Sequence, residues 1–344
     1  MKNKLSKVLT NDDIINVCKN NKLISLAFRL PCDCNLNCSY CYGKIETKGK
    51  KLNFKEIKDI LKQASELEAR TVEIVGEGEP ILYSEFKKLI VNIDDLGMIP
   101  TLYSNCTLIT LELANFLFNH NVTIIGKQNS LNPKIQDEIT GINNSFHRIM
   151  LGLNNLIKVG FNGTKPSRLS IHTIVLKENI SEIPKMWLNW RKMNILPQVQ
   201  ALVYPSFSQE NQYFEYYKYH ASTPQETRKL FEELSNLDRT QFGINWNPVL
   251  AYPIAPDGCR VIYGTIGITQ EGNIQICSYT EKSLGNIRDI SLIDIIQSDE
   301  VKKIRDTGKI LNYPNNGYGC RANAFNMTGD RYKPDPFYER FILK

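Results

Sequence analysis

Between residue 23 and about residue 203 the chain alternates short β-branched runs with stretches of helical period, and this alternation limits its folds more than any other feature. The strand candidates are LISLAFRL (23–30), TVEIV (71–75), IPTLYS (99–104), VTIIG (122–126), RLSIHTIV (168–175) and PQVQALV (197–203). Helical stretches lie between them at 54–68, 85–97, 111–120, 145–160 and 181–193. In the first, Ile57, Ile60, Leu61, Ala64 and Leu67 recur at helical spacing and make one apolar face. Strands separated by helices return to the sheet in the same direction, so the pattern predicts a parallel sheet with right-handed crossovers. In such sheets reactive groups gather at the C-terminal ends of the strands.

At 344 residues the chain accommodates one large α/β unit and a smaller appendage. Apolar and charged contents of 42% and 23% are those of an ordinary globular protein. No apolar run reaches the ~18–20 residues that span a bilayer. The opening MKNKLSKVLTNDD is polar and has no secretory h-region. The expectation is a cytoplasmic protein without a membrane partner. A net charge of +6, scattered among acidic residues, gives solubility and does not argue for nucleic acid. Nine cysteines in this setting read as reduced thiols rather than a disulfide framework.

Cys34, Cys38 and Cys41 stand in PCDCNLNCSYCYGK as C-x3-C-x2-C, directly after the first apolar run. Three thiolates on one short loop hold three irons of a [4Fe–4S] cube and leave the fourth iron open. A zinc site wants four N/S ligands, usually from paired C-x2-C or C/H arms; here there is one such arm, and the chain has four histidines. Cys32 makes only a C-x-C pair with Cys34 and is read as a bystander. The spacing resembles the cluster loop of the radical S-adenosylmethionine (SAM) superfamily, C-x3-C-x-aromatic-C, with Tyr40 in the aromatic place. The resemblance implies a partial (β/α)6 TIM-like barrel, a [4Fe–4S] cluster on Cys34, Cys38 and Cys41, and SAM on its open iron.

GEGEP (76–80) follows the second strand and is similar to the family's G-G-E-P turn, with Glu77 where the first glycine is usual. Gly78 lets the backbone approach a ligand, carbonyls of the turn accept from an ammonium group, Glu79 pairs with that cation, and Pro80 stiffens the exit. By resemblance the cation is the amino group of SAM. YSNCTLIT (103–110) resembles the family's T-N-G turn, which gives Ser104 and Asn105 to the ribose or carboxylate of SAM and puts Cys106 where glycine is usual. GKQNSLNP (126–133) resembles a K-x-N-S stretch, with Lys127 for the SAM carboxylate and Asn129 and Ser130 for the ribose. Arg168 is a rival for the carboxylate. His172, four residues on and so on the same strand face, is either a substrate contact or a satisfied core histidine.

Past residue 240 the alternation stops, and the chain divides into a barrel (1–240) and a small C-terminal α+β extension (241–344). CRVIYGTIGITQEGNIQIC (259–277) reads as a β-hairpin around QEGN. Its C-x12-G-x4-C spacing, with the later Cys320 and Arg321, resembles the SPASM/Twitch extension of radical SAM enzymes. The resemblance implies a second, auxiliary [4Fe–4S] cluster on Cys259, Cys277 and Cys320. Asn316 and Tyr338 stand where further cysteines would serve another cluster. A Cys259–Cys277 disulfide and a zinc ion are the competing readings of these cysteines.

The implied activity is reductive cleavage of SAM to a 5′-deoxyadenosyl radical that abstracts hydrogen from a substrate. The outcome is oxidation, cross-linking or epimerisation of a peptide, a protein or a small natural-product metabolite. An external low-potential reductant such as flavodoxin or ferredoxin supplies the electron. The aromatic-rich segment 206–222 reads either as a lid or as a surface helix whose tyrosines pack on the barrel. A non-catalytic iron–sulfur or zinc-binding scaffold is the alternative function.

Overall fold

The structure, a computed structural model, describes residues 11–41, 49–202, 216, 218–246, 264–277 and 283–305. The elements in chain order are α1 (Asn11–Lys19), β1 (Ser25–Leu30), α2 (Phe54–Glu66), β2 (Thr71–Gly76), α3 (Phe86–Asp95), β3 (Ile99–Ser104) and α4 (Leu111–Asn119). There follow β4 (Thr123–Lys127), α5 (Pro133–Thr140), α6 (Ser145–Val159), β5 (Leu169–Val175), α7 (Ile183–Lys192), β6 (Leu196–Ala201) and α8 (Pro224–Phe242). Last come β7 (Thr265–Ile268), β8 (Asn273–Gln275), β9 (Ser283–Asn286), α9 (Leu292–Gln297) and α10 (Asp299–Ile304).

The described strands form one sheet in the order β6-β5-β4-β3-β2-β1-β7-β8-β9. Strands β1 to β6 are parallel neighbours, as the βα alternation requires. The predicted hairpin forms from β7 and β8, which are antiparallel. It does not stand apart from the barrel: β7 pairs parallel with β1 over Ser25–Phe28, so the C-terminal segment widens the barrel's own sheet.

Local chemistry fixes the helices. Asn53 caps α2 in a reciprocal box with Glu56, and Ile57, Ile60, Leu61 and Ala64 are its buried face, as the period predicts. Neither α1 nor α5 is anticipated by the strand-and-helix pattern. The signals for α5 are punctuation rather than period: Asn132 caps it, Pro133 opens it, and Gly141 closes it in the left-handed region at φ +66°.

Register separates the two faces of the sheet. Phe28, Ile74, Leu102 and Ile124 lie level with one another and pack under the helices in the main core. The opposite face carries Arg29, Glu73, Tyr103, Lys127, His172 and Gln198 by the same registers. This inner face is therefore polar where the outer face is apolar. It opens at the C-terminal ends of the strands, where the cysteine loop leaves β1.

Candidate active site

The loop that carries Cys34, Cys38 and Cys41 is held by its backbone. Asn37 N–H donates to Thr140 O (2.9 Å), Ser39 N–H to Ile139 O (3.0 Å), and Cys41 N–H turns back to Cys38 O (3.1 Å). A side chain at Gly141 would meet Asn37 O at 2.7 Å, so the end of α5 fits this loop only with glycine. Asn35 ties the loop to the end of β3: its Oδ1 accepts from Asn105 Nδ2 (3.0 Å) and its Nδ2 donates to Thr107 Oγ1 (2.7 Å). Asn35 and Thr107 carry no sequence signal for this role beyond their nearness to the two motifs.

The donor set suits an iron–sulfur cube. Cys34 is exposed, and Cys38 and Cys41 are half-buried. Crowding by the loop holds the Cys34 thiol above its usual range, while the Leu36 N–H and the Asn105 amide pull it toward thiolate. Among the described residues no three His, Cys, Asp or Glu side chains converge on one point. A cube takes its thiolates at separate corners instead. Burial, then the charges of Glu79 and Cys34, push the Cys32 thiol up to about 12.

The GEGEP turn docks directly on this loop. A Cβ on Gly78 would lie 2.3 Å from Asp33 O and 2.4 Å from Cys32 O, and Glu79 N–H donates to Asp33 O (2.8 Å). Glu79 is buried beneath the turn. Ser104 Oγ donates to its Oε1 (2.7 Å) and Asn105 N–H to its Oε2 (2.8 Å). Burial pushes the Glu79 carboxyl up to about 7, against the pull of those donors. A carboxyl so placed gains from an arriving cation. Ser104 and the Asn105 amide are thus engaged with Glu79 and Asn35, framing the site.

Glu77, in the place of the usual glycine, uses its side chain. It pairs with Arg29 of β1 (2.9 Å) and accepts from Gln270 in the turn between β7 and β8. The motif turn is therefore bolted to the C-terminal hairpin. Cys106 also departs from glycine and adopts φ +63°, a left-handed conformation that explains why glycine is usual there.

At the end of β4, Asn129 and Ser130 are buried and bonded within the frame. Asn129 Nδ2 donates to Tyr40 Oη (3.1 Å), its Oδ1 accepts from Ile174 N–H (3.0 Å), and Ser130 Oγ donates to Glu182 (2.8 Å). Tyr40 packs against the cluster of Ile139, Ile174, Leu176 and Leu202, as does Tyr216, so the aromatic of the cysteine motif anchors the loop to the barrel mouth. Tyr216 is the point where the aromatic-rich segment reaches that mouth; residues 203–215 lie outside the described part. Lys127 is half-buried on the inner face and bonds His172 (2.8 Å).

Arg168 corrects an expectation. It precedes β5 at the N-terminal end of the sheet, four residues or about 13 Å of strand from His172. Its guanidinium donates to Val122 O (2.9 Å) and Phe118 O (3.0 Å) and lies over the Phe118 and Phe161 rings. It caps the carbonyls at the far end of the barrel and cannot serve a carboxylate at the mouth. Arg168→Met is expected to cost about 2–3 kcal/mol in urea unfolding, because buried acceptors lose a charged donor, and to leave SAM affinity unchanged.

A family model described as the radical SAM superfamily matches residues 30–186, and the SPASM iron–sulfur cluster-binding domain matches residues 259–321. The chain carries a radical SAM domain followed by a SPASM domain. It is an enzyme whose family works with a [4Fe–4S] cluster and SAM, and the SPASM match adds auxiliary iron–sulfur binding. Among curated relatives it is 23% identical to the AdoMet-dependent heme synthase of Methanosarcina barkeri, over 91% of this chain and 95% of that one. It is also 23% identical to the GTP 3′,8-cyclase of Haemophilus influenzae, over 79% and 80%.

The fold of this radical SAM enzyme is similar to that of Streptococcus suis SuiB bound to the precursor peptide SuiA. The TM-score is 0.71 at 18% identity, covering 98% of this chain and 84% of SuiB. It is also similar to anSMEcpe with bound AdoMet, with TM-score 0.68 and 16% identity over 93% and 94%. Within the SPASM match, Cys277 follows β8 and is buried in the main core. Cys259 and Cys320 lie outside the described residues.

Proposed function

We propose that this enzyme abstracts hydrogen from a polar substrate, a peptide or a small metabolite, to achieve a net oxidation. The observation that carries the reading is the docking of the three-cysteine loop on the GEGEP turn at the mouth of a polar inner face. Cys34, Cys38 and Cys41 hold the cluster, and Gly78, Glu79 and Pro80 shape the seat of the SAM ammonium. When bound, cluster and SAM supply a 5′-deoxyadenosyl radical to an unactivated C–H bond. The protein's own part is to aim that chemistry into the lumen and exclude water.

The inner face supports a substrate rich in hydrogen-bonding groups. Glu73 on β2 presents a carboxyl that burial holds above its usual range, bonded by Ser25 Oγ (2.9 Å). A peptide substrate is favoured by the fold likeness to SuiB and anSMEcpe, whose structures include peptide complexes. A second reading, oxidation of a small molecule, rests on the nearly full-length similarity to heme synthases. In either case Cys259, Cys277 and Cys320 would hold an auxiliary cluster, which would supply an acceptor for the second electron. A flavodoxin or ferredoxin in the cytoplasm supplies the first. The end of the βα alternation supports a division of the chain at residue 240 into the barrel (1–240) and this auxiliary unit (241–344), the second adding its strands to the first's sheet.

Anaerobic reconstitution with iron and labile-sulfide counting, followed by dithionite and SAM, tests the reading. About eight irons with 5′-deoxyadenosine formed is the expected result, four for each cube. About four irons with turnover removes the auxiliary cluster; zinc in place of iron and no 5′-deoxyadenosine establishes a scaffold instead.

A further inference from the structure

Side chains on adjacent strands β4, β5 and β6 form a hydrogen-bonded line across the inner face. Lys127 Nζ lies 2.8 Å from His172 Nδ1, and His172 Nε2 lies 2.8 Å from Gln200 Oε1. An ammonium only donates, so Nδ1 is the bare ring nitrogen and Nε2 carries the hydrogen that Gln200 accepts. A second ring proton would set one donor against another. Burial and then the Lys127 charge hold His172 well below the usual histidine range, in agreement with the neutral ring.

Lys127 and His172 are register partners, and Lys127 is the last residue of β4. The cysteine loop arrives at this same level: Tyr40, between Cys38 and Cys41, bonds Asn129, two residues beyond Lys127. Burial pushes the Lys127 ammonium down to about 8, against the pull of the Cys38 and Cys41 sulfurs, and the Tyr103 ring lies 5.7 Å from its nitrogen. A lysine stem ordinarily swings its head toward water. Here the imidazole acceptor removes that freedom.

We propose that His172, held in one tautomer by Gln200, is a positioning residue that fixes the Lys127 ammonium beside Cys38 and Cys41, where its charge favours reduction of the cluster those thiols hold. This rests on the assignment of Cys34, Cys38 and Cys41 as cluster ligands. Reduction makes the site one unit more negative. A fixed cation in a water-poor lumen stabilises that charge more strongly than one in bulk water. The electron is the one delivered by the external reductant.

The test is an anaerobic redox titration of the reconstituted enzyme without SAM, following the paramagnetic signal that SAM perturbs. Lys127→Met is expected to lower the midpoint by about 59 mV, tenfold in a one-electron equilibrium. His172→Leu is expected to reproduce at least half of that shift, and the double variant to go no further than Lys127→Met. His172→Gln, whose amide oxygen accepts from the ammonium, is expected to keep the parental midpoint. If His172→Leu does not fold, Gln200→Leu frees the tautomer and is expected to shift the midpoint the same way by less. An unmoved midpoint in Lys127→Met, or in His172→Leu while Lys127→Met shifts, overturns the proposal alone. A parent protein without iron or signal overturns the cluster assignment, and this proposal with it.

Discussion

Replacing Cys34, Cys38 and Cys41 together by alanine removes one cube's worth of iron, about four atoms, and all formation of 5′-deoxyadenosine. The loss is complete because a cube held by three thiolates has no other protein anchor in this loop. Cys32 is the nearest spare sulfur, and burial with the Glu79 charge keeps it a thiol. The variant should still fold. The loop is fastened by Asn37 N–H to Thr140 O, Ser39 N–H to Ile139 O and the Asn35 amide to Thr107, none of which uses a cysteine side chain. Circular dichroism and urea unfolding of the metal-free proteins are therefore expected to coincide for parent and variant. SAM cleavage that survives the triple change would falsify the cluster assignment.

Asp238→Ala should be the most damaging single substitution away from the site, at about 3–5 kcal/mol of unfolding free energy. Asp238 is fully buried on α8, and its carboxylate is the common acceptor of three side chains. Trp187 Nε1 donates to Oδ1 (2.7 Å), Arg191 donates to Oδ1 (3.0 Å) and Oδ2 (2.6 Å), and Trp246 Nε1 donates to Oδ2 (3.0 Å). Removing it leaves a largely buried guanidinium and two indole N–H groups without their acceptor. The apolar packing of Leu230, Phe231 and Leu234 on Val175, Ile183 and Ala201 does not replace that bond set. Asp238→Asn keeps the shape and an acceptor oxygen and should lose less. A urea midpoint within experimental error of the parent for Asp238→Ala would mean that this carboxylate does not hold α8 on α7.

Much of the fold is legible because its signals are local. The six strands and five helices expected from period lie within two residues of their observed bounds. Apolar period and β-branched runs act over a few residues, so burial in the finished core confirms them. The short helix α5 escaped because its signal is a cap, a proline and a terminal glycine rather than a stripe. The cysteine spacing and GEGEP point to the same chemistry for the same reason: ligands on one loop are neighbours whatever the rest of the chain does.

Assignments that depend on which end of a strand a side chain occupies are less secure. Arg168 and Lys127 both read as cations near strand termini, yet one caps the bottom of the barrel and the other faces the cysteine loop. In sequence Glu77 only stands where the first glycine of the turn is usual, whereas in the structure it joins β1 and the distant hairpin through Arg29 and Gln270.

The sequence by itself determined the strand order's raw material, the three-thiol loop after β1 and the motif turns at the ends of β2 to β4, because spacing along the chain sets them. Only the tertiary structure decided that β7 joins β1, that Glu79 is buried under Ser104 and Asn105, and that His172 and Gln200 line up behind Lys127. Those contacts bridge residues tens to hundreds of positions apart. Their formation depends on sheet register and on the desolvation that packing imposes, and neither quantity is written in any local stretch of chain.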